Sequence, residues 1–195
     1  MGFFDRFFGR NKSSKPAQQP EPRPITEPVI TGLALYEKVV DLITVSGELR
    51  ADLKSKLKEA FEHPASFYDD TSEFILSERG LTYPEDSSKT PKFVLIDTLI
   101  EYHEMAEVDW KECEEEIRFS LTTILSAMDY SLELTLDDQY EGSHTYEVLE
   151  QIDRLELQPG GYALTILDIQ SDCYVFTVVP LNKREEVVSL FDQLK

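Results

Sequence analysis

Cysteine is scarce in this 195-residue chain. The two present, Cys113 and Cys173, stand 60 positions apart and share no C-x-x-C or similar spacing, which argues against a disulfide framework and a structural zinc site and for a reducing, cytoplasmic setting. Glycine is thin as well, eight in all, and neither G-x-G-x-x-G nor G-x-x-x-x-G-K-S/T, the loops that cradle phosphates, occurs. No apolar run approaches the roughly 20 residues that cross a bilayer, and no short apolar stretch with a small-residue cleavage site marks the first residues for secretion. The three histidines, His63, His103 and His144, are scattered, and G-x-S-x-G is absent, so no nucleophile with an oriented base can be located.

Positive charge is the other shortage. Lys and Arg number 19 against 38 Asp and Glu, a net charge of −19, and the imbalance is uneven. Met1 to Pro24 holds five basic and two acidic residues, leaving 14 basic and 36 acidic beyond it, so the first segment is +3 and the remainder −22. A body that acidic repels phosphate backbones, which argues against nucleic acid as a partner. Its acidity suits a solvated surface or a basic protein partner.

What is present divides into three parts. Residues 1–10 place Phe3, Phe4, Phe7 and Phe8 on one face of a helical turn, with Arg6 and Arg10 beside them. A segment this short is marginal as a free helix and orders only against a membrane, a partner or its own domain. Myristoylation at Gly2 is rejected, because Arg6 stands where the motif requires Ser or Thr. Residues 11–29 include Pro16, Pro20, Pro22, Pro24 and Pro28 among Ser, Gln and Lys, the composition of an extended linker. Residues 30–195 form one α+β domain, a length that buries roughly 70% of the unfolded chain's surface without staples.

Within it, helical periodicity runs through Leu35, Val39, Leu42 and Ile43, stopping at Ser46-Gly47, then through Leu49, Leu53, Leu57 and Phe61, stopping before Pro64. A third helix is predicted from Pro64 to Arg79, with Phe67, Phe74 and Ile75 inward and Gly80 as its left-handed cap. Pro91 opens a fourth on Val94, Leu95, Leu99 and Ile100. Asp109 with Glu112 reads as a capping box, with Trp110 anchoring the start of a helix on Cys113, Ile117, Leu121, Ile124 and Leu125. Leu132, Leu134 and Leu136 alternate as in a strand, and Val148, Leu149, Ile152 and Leu155 mark a short helix closed by Pro159-Gly160-Gly161. Tyr162–Leu167 and Cys173–Val179 read as a hairpin. A final helix, capped by Asn182 with Glu185, follows on Val187, Val188, Leu190, Phe191 and Leu194. The expected architecture is a helical layer on a small antiparallel sheet.

Chemistry-bearing motifs are weak. His103-Glu104-Met105-Ala106-Glu107 imitates H-E-x-x-H but lacks the second histidine, and the Asp137–Gly142 stretch imitates an EF-hand but offers Val148 where the closing Glu belongs. No metal or cofactor is expected. The hairpin turn, with Asp168, Ser171 and Asp172, is the densest polar feature and, with Trp110, the candidate functional surface; local turn chemistry accounts for the same residues.

Two stretches, Leu95–Glu101 running on to Glu107–Lys111, and Gly161–Leu164 running on to Leu167–Tyr174, resemble a bacterial family catalogued only as a domain of unknown function, of the 6630 type. The resemblance covers Leu33 to Lys195 and implies a bacterial cytoplasmic setting, with no activity to carry over. The acid-rich hairpin also resembles those of toxin-neutralising immunity proteins, at the level of fold analogy. The expectation is a noncatalytic interaction module for a basic protein, immunity-like or regulatory. Its rivals are an enzyme using some of Asp168, Asp172, Trp110 and His103, and an adaptor reversibly attached to a membrane through Phe3, Phe4, Phe7 and Phe8.

Overall fold

The apolar stripes of the sequence become two helical layers, one on each face of a three-stranded sheet, in a computed structural model that describes residues 31–69, 75–140 and 144–194. The aromatic tip and the proline-rich segment lie outside the described residues. Helix α1 (Leu33–Ile43) buries Leu35, Val39, Val40 and Ile43, and α2 (Gly47–Glu62) buries Leu49, Leu53 and Leu57. Each such side chain contributes about 1.5–3 kcal/mol by leaving water. Ser46 caps α2, its hydroxyl accepting from Leu49 N–H. Helix α3 (Thr90–Glu101) carries Pro91 in its first turn, where a missing N–H costs nothing, and is buried on most sides.

Helices α4 (Glu114–Ala127), α5 (Thr145–Ile152) and α6 (Arg184–Phe191) complete the set. Between them run β1 (Ala106–Asp109), β2 (Tyr162–Leu167) and β3 (Cys173–Pro180), antiparallel throughout in the order β1-β3-β2. The hairpin pairs Leu167 with Val175 and Tyr162 with Pro180; β1 pairs Ala106 with Phe176 and Asp109 with Cys173. Strand alternation sorts the central strand between two cores. Val175 and Val179 join α1, α2, α3 and α6, whereas Phe176 and Val178 join α4 and α5.

The two sheet edges differ. The N–H of Leu164 on β2 donates to Asp153 Oδ1 at 2.8 Å, from a wide π turn (Asp153–Leu157) that extends α5 and blunts that edge. Asp153 also takes Gln158 Nε2 at 2.8 Å and Arg184 Nη2 at 3.0 Å. No further strand pairs with β1 on its other side among the described residues.

Several local expectations are corrected. The helix expected over Pro64–Arg79 is two 3-10 turns, Pro64–Phe67 and Leu76–Arg79, with Leu76 fully buried and Phe74 outside the described residues. Gly80 does adopt the left-handed conformation, φ 76°, with open space around its α-carbon. Gly80→Ala therefore tests backbone strain without a clash, and urea denaturation should show a loss of about 1–2 kcal/mol.

Asp109 ends β1 instead of capping α4, whose N-cap is Cys113; Asp109 Oδ1 closes a local turn by accepting from Lys111 N–H at 2.9 Å. The third strand takes residues that a capping pattern had claimed. Trp110 anchors no helix start: it is 43% exposed, with Lys111 Nζ 4.1 Å over its ring. Leu132 and Leu134 lean on the α4/α5 core from an extended segment that joins no sheet. Asn182 sits in a 3-10 turn, and Lys183 is the N-cap of α6, with no side-chain cap. Phe61, Leu155 and Val188 are exposed, Phe61 edge-on to Tyr36 with centroids 5.5 Å apart.

Candidate functional site

The hairpin end is assembled as turn chemistry dictates. Asp168 Oδ1 accepts from Gln170 N–H at 2.8 Å and Ser171 Oγ from Cys173 N–H at 3.1 Å, so the hairpin's own backbone engages both side chains. Asp172, Asp168 and Ser171 are exposed, and the Asp109–Cys173 pairing brings Trp110 to the same end of the sheet as Asp172. Burial pushes the Cys173 thiol up, and the carboxylates of Glu107, Asp172 and Asp109 push it further, the reverse of an activated nucleophile. His103 stands apart from this group, in a groove that Asp168, Ser171, Asp172 and Trp110 do not line.

That groove is the more developed surface. It consists of two adjoining hollows of about 390 and 410 Å³ that share His103, Phe119 and Thr123. Their volumes fall in the range of ligand pockets. One hollow borders β1 through Met105, Ala106 and Glu107; the other is bordered by Leu136. Phe119 lies between them, 60% exposed on the outer face of α4, one turn after Glu115 and Glu116. Asp137 and Asp138 follow Leu136 as exposed carboxylates.

Two buried charges hold the walls. Arg118, fully buried beneath α4, pairs through Nε with Glu114 at 2.7 Å and through Nη2 with Glu156 at 2.8 Å, and its Nη1 reaches the Thr135 carbonyl at 3.2 Å. Glu114 also accepts from Gln139 N–H at 2.8 Å and Tyr140 N–H at 2.6 Å, and Tyr140 Oη donates to Glu156 at 3.0 Å. These bonds fasten residues 135–140 to α4 and set Leu136 at the groove. The hydrogen bonds and charges of Glu156 and Glu114 outweigh burial and raise the Arg118 pKa further.

At the other wall, His103 takes a left-handed backbone, φ 59°, that ends the turn after α3 and drops Glu104 into the interior. Glu104 is 4% exposed, and its Oε2 has no hydrogen-bond partner among the described residues. Burial pushes its carboxyl up to about 7, against the opposing pull of the Val45 and Ser46 N–H groups and the Arg50 charge. Its main-chain carbonyl accepts from Thr177 Oγ1 at 2.6 Å, tying the turn to the central strand. Glu107, beside it on β1, is held by Arg79 Nη1 at 2.8 Å, while Arg79 also grips Asp97. Among the described residues no group of three His, Cys, Asp or Glu side chains is placed to hold a metal ion, and no helix is long and apolar enough to cross a membrane.

The sequence pointed mainly to the hairpin; of its candidates only His103 lines the groove. The signal it passed over was Phe119, an aromatic off the stripe of Ile117, Leu121, Ile124 and Leu125. No curated protein and no solved structure matches the chain. The family model described as a domain of unknown function, DUF6630, matches residues 35–195, and the chain belongs to that family.

Proposed function

We propose that this domain is a noncatalytic, acidic protein-interaction module of a bacterial cytoplasm, immunity-like or regulatory, that receives a cationic protein segment in the Phe119 groove. The observation that carries this reading is Phe119 itself, an aromatic 60% exposed where two adjoining, mainly apolar hollows meet, one of them bordered by the edge strand β1. Partner segments with an aromatic or aliphatic anchor fill such hollows, and the strand edge can add main-chain hydrogen bonds. The sign of the partner follows from the acids near it in the chain, since Glu115 and Glu116 stand one turn before Phe119 and Asp137 and Asp138 directly follow Leu136, all four exposed. A net charge of −22 beyond Pro24 steers a cationic protein toward it, making association fast and sensitive to salt.

Phe119→Ser separates binding from folding. Because the ring is mostly in water, the unfolding free energy should stay within about 0.5 kcal/mol of the parent. Affinity for a basic protein captured by the parent domain from its native cells should fall at least about tenfold, as expected for a central aromatic anchor. Capture that survives Phe119→Ser unchanged, or no capture that weakens with salt, overturns the reading.

A further inference from the structure

We propose that in the free protein the chain's own N-terminal segment, Met1–Arg10, occupies the groove through Phe3, Phe4, Phe7 and Phe8, so that a partner binds by displacing it. The inference rests on the groove being a docking surface and adds its resting occupant.

The first argument is chemical fit. The groove offers Ile100, Met105, Ala106, Phe119, Ile124 and Leu136 as apolar lining, with Glu107 in its wall and the exposed acids Glu115, Glu116, Asp137 and Asp138 within a turn of Phe119 or next to Leu136 in the chain. Four of the chain's eleven phenylalanines stand within its first eight residues, flanked by Arg6 and Arg10. Rings can enter the floor while guanidinium groups meet the exposed carboxylates.

Charge is the second. Met1–Arg10 carries Arg6 and Arg10 against Asp5, and with the linker Met1 to Pro24 carries +3 against −22 for the rest, so the segment is drawn to its own domain. The same field argues against the rival occupant of the tip, an anionic membrane, because the body would be repelled from the surface its tip approached.

Reach is the third. Residues 11–29, if extended at about 3.1 Å per residue, span roughly 60 Å. A domain of this size has a radius of gyration of only about 15 Å, which brings its whole surface within range. A tether of this kind presents its tip at an effective concentration near the millimolar range, so even a weak contact is populated.

The test uses the full chain with a photoreactive benzoylphenylalanine in place of Phe7. Illumination of the monomer should give cross-links within one chain, into residues 99–107, 116–127 or 134–138, and Phe119→Glu should reduce them at least fivefold. Cross-links that join two chains, that fall mainly outside those three segments, or that form only when anionic phosphatidylglycerol vesicles are added overturn the proposal, as does full incorporation without any cross-link. A second measurement is amide exchange of the full chain against a variant with Phe3, Phe4, Phe7 and Phe8 all serine. The parent should exchange at least threefold more slowly at residues 105–108 and 119–124, and equal rates there also overturn it. Phe119-dependent capture of a partner without tip cross-links leaves the proposed function standing and removes this inference; tip cross-links without a partner do the converse.

Discussion

Arg118→Met should lower the unfolding free energy by about 3–5 kcal/mol, the largest loss expected from any single change in this domain. The guanidinium is fully buried and satisfies Glu114, Glu156 and the Thr135 carbonyl together. A methionine keeps much of the side-chain volume but leaves Glu114 and Glu156 without their counter-charge, and it is the stranded carboxylates that make the change severe. Replacing the three together, Arg118→Met with Glu114→Gln and Glu156→Gln, should recover a large share of the loss. Urea denaturation of both variants checks this: if the single change costs less than 1 kcal/mol, or the triple variant is no better than the single, the network is not a buried charge cluster. Amide exchange should also quicken at Gln139 and Tyr140, whose N–H groups are held by Glu114.

Glu104 should make the protein less stable as pH rises. Its carboxyl is raised by burial from an ordinary 4.5 to about 7. The folded state therefore holds the proton more tightly than the unfolded chain, so this contribution is whole below about pH 4.5 and is lost as pH climbs through 7. The interval corresponds to on the order of 3 kcal/mol. Arg50 and the Val45 and Ser46 N–H groups oppose the rise, and Tyr130 is coupled to the same carboxyl, its own hydroxyl pushed up to about 12, mainly by burial. Asp97 is likewise raised, first by burial, and shifts stability in the same direction. Comparing Glu104→Gln with the parent cancels these neighbours. The two should be nearly equal at pH 4.5 and separate by a few kcal/mol at pH 8, with the glutamine variant the more stable. Parallel curves from pH 4.5 to 8 would show that Glu104 is not the group responsible.

The elements legible in the sequence were those made by local periodicity. Leu49, Leu53 and Leu57 recur at the helical step, and the β-branched and aromatic residues of Tyr162–Leu167 and Cys173–Pro180 mark a hairpin without knowledge of the rest of the chain. The domain of unknown function and its order of helices and hairpin were legible in the same way, through stretches contiguous in the chain. Strand β1 was not, because Ala-Glu-Val-Asp is too short for a pattern and becomes a strand by pairing with β3. Arg118 was hidden for a related reason. A charge beside an apolar stripe reads as solvated until Glu156, 38 positions on, closes over it. The groove is assembled from the end of α3, β1, α4 and the stretch at Leu136, so no single window of sequence contains it. Conversely, the dense acids of the hairpin turn attracted notice because they are adjacent in the chain, and Asp168 and Ser171 serve the backbone that holds them.

The central position of β3 also governs the order in which the molecule can be made. Its partner β1 was synthesised about 65 residues earlier, and Val175 and Phe176 belong to opposite cores. Without Cys173–Pro180 neither helical layer has the central strand it packs on, and β1 has no strand to pair with. Folding of this domain therefore waits on residues 173–180. Premature stops before residue 173 should yield not a smaller domain but a sticky, unassembled chain, a fate that chaperones or proteases would have to manage.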